Sequence, residues 1–301
     1  MEHRILITGG TGFIGKEVCR TLNDKGYQLT VLSRQPPDTV RSLCGRVDVV
    51  NQLDELDGHS GFDGVINLAG EGIAEKRWTE TRKKALRSSR IDLTRELVEI
   101  ALSWEKQPSV LVSGSAVGFY GDQGSELVTE KTPPKDEFTH ELCRDWEQAA
   151  LNIEPEGVRV CLSRTGLVVG RGGGFLQRML PPFKLGLGGR LGSGDQFMPW
   201  VHRADVVRGL TWMLETETAR GAYNMVSPNP ATNRAFTETL ADVLHRPAVF
   251  PAPAPALKLA LGEMASLLLT GQQAIPERLK EEGFEFEYPD LKPALEESVG
   301  R

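Results

Sequence analysis

The sequence predicts an α/β fold, in which a doubly wound parallel sheet carries a small, mostly helical C-terminal lobe. Three observations support this fold class. Short apolar runs alternate with amphipathic helical runs from residue 4 to residue 162, as in proteins whose parallel sheet lies between two helical layers. The apolar runs are continuous rather than alternating, as expected for strands covered on both faces. After Ser163, glycine-rich loops replace this regular alternation, which indicates a second lobe.

The first predicted element is a strand at 4–8, which a glycine-rich turn joins to an amphipathic helix at 16–25. Five more strands are expected where apolar runs recur, and a long helix precedes each of the last two. The strands are placed at 27–32, 47–50, 64–68, 110–112 and 158–162, and the helices at 79–104 and 138–151. Helical patterns follow at 204–214 and 234–244, and a stiff proline-rich spacer at 251–255 precedes a final helical region.

The turn after the first strand carries the most specific motif, with glycines at positions 9, 12 and 15. A strand that ends in such a turn and opens a helix brings bare backbone close to a pyrophosphate and points unpaired N–H groups at it. Gly9 is expected to form the tight turn, Gly12 to admit the pyrophosphate, and Gly15 to let the helix pack on the strand. The predicted contacts are Gly9, Thr11, Gly12, Phe13, Ile14 and Gly15. Glycine runs also occur in ordinary turns, but this order of elements predicts a dinucleotide-binding Rossmann fold.

The end of the second strand bears on the choice between the two nicotinamide nucleotides. NAD enzymes commonly carry an acid there, which hydrogen-bonds the ribose diol, whereas this chain has Ser33 and Arg34. A hydroxyl and a guanidinium can donate hydrogen bonds to a ribose 2′-phosphate, which an acid would repel. The sequence therefore favours NADP(H). The alternative, that Arg34 is only a solvated loop residue, stays open.

These features predict a Rossmann domain that binds NADP(H) at 1–165 and a substrate-side lobe at 166–301, interleaved with the sheet around 200–226. The net charge of −6 disfavours a nucleic-acid-binding protein. The four cysteines form no CxxC pair, so neither a metal site nor a disulfide framework is predicted. No uncharged apolar stretch is long enough to span a membrane, and the first strand starts too near Met1 for a targeting peptide. We therefore expect a cytoplasmic protein.

Several segments resemble extended short-chain dehydrogenases/reductases: Thr8-Gly-Gly-Thr-Gly-Phe-Ile-Gly15, Asn67-Leu-Ala-Gly70, Ser113-Gly-Ser-Ala-Val117 and Pro199-Trp-Val-His-Arg-Ala-Asp-Val-Val207. Segments 72–78, 118–121, 143–147, 192–196 and 283–289 resemble more closely the atypical "epimerase family" subgroup of NAD-dependent epimerase/dehydratase-like proteins, which ends in a C-terminal domain of unknown function. The resemblance implies that the backbone of Leu68, Ala69 and Gly70 passes the adenosine ribose and the diphosphate. It also implies a homodimer and a small-molecule substrate, which the sequence does not identify.

The chain departs from this family pattern at the catalytic residues. Relatives that transfer a hydride use a serine, a tyrosine and a lysine one helical turn later, where the ammonium lowers the pKa of the phenol. Ser115 matches the serine, but the predicted helix at 138–151 offers Thr139 and Cys143 in place of the Tyr-x-x-x-Lys pair. A threonine hydroxyl is a much weaker acid than a phenol, and a cysteine supplies no positive charge.

Three hypotheses follow. The first is an NADP(H)-dependent oxidoreductase or epimerase that acts on a small polar carbonyl or sugar-like substrate. It would use Ser115 with a relocated proton donor, for which Tyr120, His202 and His140 are candidates. The second is a catalytically inactive, NADP(H)-binding protein with a redox-responsive regulatory or interaction role. The third, a structural protein without nucleotide, would make the glycine-rich motif a coincidence.

Four cations were weighed for the first hypothesis. Arg144 or Lys83 would replace the missing lysine, and Arg171 or Arg190, in the glycine-rich loops of the lobe, would bind an anionic group of the substrate. The alternative for these loops is that their glycines only form tight turns.

Overall fold

The computed structural model describes residues 3–56 and 61–300. Its strands are β1 (Arg4–Thr8), β2 (Gln28–Leu32), β3 (Asp48–Val50), β4 (Gly64–Asn67), β5 (Val110–Ala116), β6 (Leu127–Val128), β7 (Arg159–Thr165), β8 (Leu167–Val169), β9 (Phe197–Met198), β10 (Trp200–His202), β11 (Gly221–Met225), β12 (Ala231–Thr232) and β13 (Gln273–Ala274). Seven of them form a sheet in the order β3-β2-β1-β4-β5-β7-β11, and all of its neighbours are parallel. This architecture confirms the predicted fold class.

The α-helices are α1 (Gly15–Asp24), α2 (Pro37–Cys44), α3 (Glu80–Arg87), α4 (Leu93–Ser103), α5 (Phe138–Leu151), α6 (Gly174–Lys184), α7 (Arg203–Glu215), α8 (Asn233–Leu244), α9 (Ala254–Leu261), α10 (Ser266–Leu269), α11 (Glu277–Glu281) and α12 (Leu291–Val299). The long helix expected at 79–104 is divided into α3 and α4 by a π-helical turn, Ser88–Asp92. Such turns inside a helix are frequent at functional sites. Within the described residues, no helix is both long and apolar enough to cross a membrane.

Successive side chains of the central strands enter two different cores. Ile5 and Ile7 of β1 pack with residues of α1 and α7 on one face, such as Val18 and Leu210. Leu6, between them, packs on the other face with α4 residues and the end of α5. This period of two is what a strand buried on both faces requires. The carboxyl ends of the parallel strands consequently share one edge, where ligands gather in such sheets.

The C-terminal lobe lies beyond that edge and has its own core. Residues of α6, α8 and α12 surround Trp200 and Phe236, which are both fully buried. Two short strand pairs, β8 with β10 and β9 with β12, connect this core to the sheet. The buried carboxylate of Asp205 accepts hydrogen bonds from the backbone N–H groups of Glu287 and Tyr288, which ties the C-terminal segment to α7.

Candidate functional site

The glycine-rich turn between β1 and α1 has the shape that a phosphate-binding loop requires. Gly9 has a φ of +68°, and a Cβ there would lie 2.6 Å from the carbonyl carbon of Leu68. A Cβ on Gly15 would clash with the carbonyl oxygen of Gly9. The loop is open at Gly12, which is exposed and whose Cβ would meet only that same oxygen, at 3.1 Å. The motif therefore supplies a tight turn, an accessible backbone and close packing of the helix on the strand.

The remaining motif residues connect this loop to the C-terminal lobe. Thr11 and Ile14 are half-buried, and Ile14 precedes the first residue of α1. The ring of Phe13 lies against Gly173 and Gly174, and the guanidinium of Arg203 covers it at 4.7 Å from the ring centroid. The backbone of the loop is thus left for a ligand while the Phe13 side chain anchors the lobe.

The end of β2 presents an unpaired guanidinium. The loop that follows is held by Asn51, whose side-chain amide donates to the carbonyl oxygens of Ser33 and Gln35 at 2.7 and 3.0 Å. The Ser33 hydroxyl accepts the backbone N–H of Gln35 at 3.2 Å. Arg34 is exposed and makes no ion pair within the described part of the chain. These hydrogen bonds hold the backbone on both sides of Arg34, whose guanidinium is free to bind an anion.

A buried polar network supports the segment 67–70 from below. The Thr8 hydroxyl donates to the Asn67 side-chain oxygen at 2.6 Å and accepts the backbone N–H of Ala69 at 3.1 Å. The Asn67 amide donates to the Thr94 hydroxyl at 2.8 Å. Gly70 lies directly beneath Arg90, because a Cβ at Gly70 would be 2.9 Å from the guanidinium carbon. The backbone of this segment is thereby fixed along the sheet edge.

Ser115, near the end of β5, belongs to a buried charged network. Its hydroxyl donates to the carboxylate of Glu147 at 2.6 Å. Arg164 holds that carboxylate through two hydrogen bonds of 2.8 Å and packs over the ring of Phe119 at 3.5 Å. All three polar side chains are less than 10% exposed, at 6%, 5% and 6%. With its proton directed at Glu147, the Ser115 oxygen is left as a hydrogen-bond acceptor.

Helix α5 brings Thr139 and Cys143 to the same place. Gly118 makes room for both, since a Cβ there would lie 3.2 Å from the Thr139 Cβ and 3.8 Å from the Cys143 sulfur. Burial, and then the nearby Glu147 carboxylate, raise the pKa of Cys143 to about 12. The thiol is therefore uncharged at neutral pH. Thr139 is 8% exposed, and its hydroxyl makes no hydrogen bond to any described residue.

A cavity of about 100 Å³ opens beside these residues. Val117, Gly118 and Thr139 form its wall on the sheet side. Residues of the lobe close the other sides, among them Phe175, Gln196, Met198, Thr270 and Gln272. Among the described residues that line it, Glu137 is the only ionisable one. The glycine-rich loop, the segment 67–70, Ser115 and this cavity all belong to the carboxyl edge of one sheet, which makes the edge a candidate site for a nucleotide with a small molecule beside it.

Comparisons with known proteins agree with this architecture. Residues 5–225 match the model of the "NAD dependent epimerase/dehydratase family". The chain belongs to this family. Residues 252–298 match a "Domain of unknown function (DUF1731)". An epimerase family protein of Staphylococcus saprophyticus is 40% identical over 99% of this chain and 100% of its own length.

A solved structure in the family is also similar over nearly the whole chain. It is the crystal structure of human epimerase family protein SDR39U1 with NADPH, which is 36% identical to this chain. Its TM-score is 0.89, and the match covers 98% of this chain and 99% of the human one. A nucleoside-diphosphate sugar epimerase from Corynebacterium glutamicum is 29% identical with a TM-score of 0.79, and the match covers 100% of this chain and 59% of that one.

In this family member, the proton donors expected from the sequence are engaged inside the protein. Tyr120 is fully buried, donates to Asn224 at 2.6 Å and accepts from Arg164 at 2.9 Å. Burial raises the pKa of Tyr120 to about 12. The ring of His140 contacts the carbonyl oxygen of Phe119 at 2.8 Å. These contacts leave Tyr120 and His140 with structural roles and weigh against direct proton transfer to a ligand.

His202 lies in the C-terminal lobe, at the start of α7. Its Nδ1 accepts the backbone N–H of Ala204, and its Nε2 lies 2.9 Å from the Glu297 carboxylate. The ring lies against that of Tyr288, with 4.0 Å between centroids and the two planes tilted by 44°. Tyr288 is also the one tyrosine with a lysine four residues later, Lys292. That lysine pairs with Asp242 on the lobe surface, so this Tyr-x-x-x-Lys spacing lies away from Ser115 and does not restore the missing pair.

The four cations weighed from the sequence have other surroundings. Lys83 pairs with Glu263 at 2.7 Å, and Arg144 is exposed and pairs with Asp145. Arg171 donates to the carbonyl oxygen of Glu297, at the C-terminal helix. Arg190 is exposed on the lobe and does not line the cavity.

Three residues of the site were not predicted from the sequence: Glu147, Arg164 and Arg90. Glu147 follows Cys143 by four residues, so it shares the helix face that carries Thr139 and Cys143. That spacing was the available signal for Glu147. Arg164 is the penultimate residue of β7, and its partner Glu147 lies 17 residues away in the sequence. Arg90 sits in the π-helical turn and donates to the carbonyl oxygen of Glu71 at 2.7 Å. No local sequence pattern predicts the contact of Arg164 with Glu147 or that of Arg90 with Glu71.

Proposed function

We propose that this protein binds NADP(H) and uses it to oxidise, reduce or epimerise a small polar carbonyl or sugar-like compound. In this proposal residues 1–165 form the nucleotide-binding domain and residues 166–301 form the substrate-side lobe. The observation that carries the proposal is that four features lie at the same carboxyl edge of the sheet. They are the open glycine-rich loop, the exposed Arg34, Ser115 and the cavity. The NADPH in the crystal structure of human SDR39U1 supports the choice of nucleotide.

The residues at this edge fit a phosphorylated dinucleotide. The backbone from Gly9 to Gly15 would hold the diphosphate, since the loop is open at Gly12 and precedes a helix N-terminus. Ser33 and Arg34 would hold the 2′-phosphate by charge-assisted hydrogen bonds. Leu68, Ala69 and Gly70 would line the ribose and diphosphate with backbone atoms. When bound, the nicotinamide gives or takes a hydride.

The chain's own residues then have limited roles in the chemistry. Thr139 would donate a hydrogen bond to a substrate oxygen in the cavity, and Ser115 would accept one from a substrate hydroxyl, because the Ser115 hydroxyl already donates its hydrogen bond to Glu147. A threonine hydroxyl is too weak an acid to ionise near neutral pH, so Thr139 orients the substrate rather than protonating it. Arg164 holds the Glu147 side chain in place through two hydrogen bonds.

A second candidate function follows from the positions of Tyr120 and His202. Both are buried and committed to interior contacts. Neither of these two side chains is free to donate a proton within the described part of the chain, which favours a protein that binds NADP(H) without turnover and reports redox state to a partner. A homodimer remains a proposal for either function, and light scattering would test it.

The test begins with calorimetric and fluorescence titrations of the purified protein with NADPH and NADH. We expect NADPH to bind more tightly. Oxidation of NADPH is then followed with aldehydes, ketones and nucleotide sugars. Turnover of any of these supports the first function, and tight binding without turnover favours the second. Absence of binding by both nucleotides, on folded protein, would overturn the proposal.

A further inference from the structure

We propose that the cavity between α5 and the C-terminal lobe selects a compact, uncharged hydroxy-carbonyl compound and rejects phosphorylated compounds and sugar nucleotides. This inference deepens the proposed function and rests on it, because the cavity adjoins the edge assigned to the nucleotide. Three features of the cavity carry the argument: its charge, its size and the unpaired polar atoms in its wall.

The charge of the cavity disfavours anions. No lysine, arginine or histidine is among the described residues that line it, and the one ionisable residue among them is the acidic Glu137. Two cations of neighbouring elements are held in ion pairs: Lys83 pairs with Glu263, and Arg234 with Asp195. Burying a phosphate or diphosphate beside an acidic residue and without a cationic side chain is unfavourable. The described lining offers the diphosphate of a sugar nucleotide no such cation.

The size of the cavity limits the part of the substrate that it encloses. Its volume is about 100 Å³, whereas a cavity of about 150 Å³ holds a benzene molecule. The enclosed group therefore has roughly four to six non-hydrogen atoms. Three-carbon sugars and hydroxyketones have this size, and a nucleoside diphosphate exceeds it several times.

The polar atoms of the wall match a molecule with one carbonyl and one or more hydroxyls. Thr139 is more than nine-tenths buried, and its hydroxyl, which has no hydrogen-bond partner among the described residues, is the donor. The side-chain nitrogen of Gln196 donates hydrogen bonds to the carbonyl oxygens of Leu191 and Leu268. The side-chain nitrogen of Gln272 donates one to the carbonyl oxygen of Gly121. Within the described chain, neither carboxamide oxygen accepts a hydrogen bond. The cavity thus offers one donor for a carbonyl and two acceptors for hydroxyls.

The experiment compares ligands that differ only in a phosphate. Binding of dihydroxyacetone, dihydroxyacetone phosphate and UDP-glucose is measured by ligand-observed NMR, with and without saturating NADPH, and NADPH oxidation is followed in parallel. We expect saturable binding of dihydroxyacetone alone. Thr139→Val, which keeps the volume and removes the hydroxyl, should weaken that binding about tenfold. Thr237→Val is the matched control, because Thr237 is another buried threonine without a partner and it lies outside the cavity.

Binding of the phosphate or of UDP-glucose as tight as that of dihydroxyacetone would overturn the inference. Equal affinities of the Thr139→Val variant and the wild type for dihydroxyacetone would also overturn it. So would the absence of dihydroxyacetone binding in protein that does bind NADPH. Loss of NADPH binding itself would overturn the proposed function instead. The NMR titration without nucleotide keeps the two failures distinguishable.

Discussion

At the scale of single residues, the proposed preference for NADP(H) rests on Arg34. Its guanidinium is exposed and has no ion-pair partner in the described chain, so a 2′-phosphate would gain its charge-assisted hydrogen bonds without breaking others. We predict that Arg34→Glu weakens NADPH binding about 100-fold and changes NADH binding less than threefold, since only NADPH carries the repelled phosphate. Fluorescence titration with both nucleotides measures the difference.

The matched control for this charge reversal is Arg95→Glu. Arg95 is also exposed, but it lies on α4 and pairs with Asp92. We expect the Arg95→Glu variant to bind NADPH with the same affinity as the wild type at the same ionic strength. Parallel losses in the two variants would mean that net charge acts at long range and that Arg34 makes no specific contact.

Two glycines of the same loop are predicted to respond differently to a single methyl group. Gly15→Ala forces a Cβ against the carbonyl oxygen of Gly9 and the Cα of Gly10, so it should lower the free energy of unfolding by about 1–3 kcal/mol. Gly12→Ala meets only one backbone oxygen, at 3.1 Å, and should fold normally while losing NADPH affinity, because the methyl group occupies the open face. Thermal unfolding and NADPH titration of both variants separate the effects; equal stability losses would contradict this division of roles.

The sequence predicted the glycine-rich loop well because its residues are neighbours in the chain and its geometry is local. Tyr120 shows why other residues could not be read in this way. Its hydroxyl bonds to Asn224, 104 residues away, and to Arg164, 44 residues away. A tyrosine just after a strand at the ligand edge suggests chemistry, but only the packed fold shows that its hydroxyl is already used.

At the scale of elements, apolar runs located the first four strands to within one residue, because strands of a parallel sheet between helical layers are rich in apolar residues. The fifth strand was predicted too short. β5 continues through Ser113, Gly114 and Ser115. These small and polar residues are buried at the carboxyl edge of the sheet and not in a hydrophobic core, so the apolar pattern does not include them. β11 was not placed as a strand, since Asn224 interrupts its pattern and only its partner β7 makes it one. Polar residues at the ligand edge are thus where periodicity fails.

The junction of α5 and β7 depends on the buried pair of Glu147 and Arg164. Removing the charge of one partner leaves the other buried and uncompensated, which typically costs about 3–5 kcal/mol. We predict that Glu147→Gln destabilises the protein by about 3 kcal/mol in urea unfolding. Glu141→Gln on the same helix is the control: its pair with Arg87 is 44% and 33% exposed and should contribute less than about 1 kcal/mol. Similar losses of unfolding free energy in both variants would show that the buried pair contributes no more to stability than the exposed one.

At the scale of the whole molecule, both halves of the chain line the cavity. The sheet side supplies Val117, Gly118 and Thr139 to its wall, and the C-terminal region supplies Thr270 and Gln272. Packing of Phe13 against the loop at 170–174 and the ion pair of Lys83 with Glu263 connect the halves. The region that matches a domain of unknown function therefore has a physical role here, since it closes the cavity that the sheet edge leaves open.

Stability at alkaline pH also belongs to the whole molecule, because its four tyrosines all titrate above their ordinary range. Burial is the first cause in each case, and it raises the pKa of Tyr27 and of Tyr120 to about 12. The folded state therefore holds phenolic protons more tightly than the unfolded state. This contribution is complete below the ordinary pKa of about 10 and is lost as the pH rises to about 12. We predict that phenolate absorbance and unfolding, followed by circular dichroism, rise together in this interval, and that Tyr120→Phe makes the loss of stability less steep. Phenolate absorbance that is complete near pH 10 in folded protein would contradict this prediction.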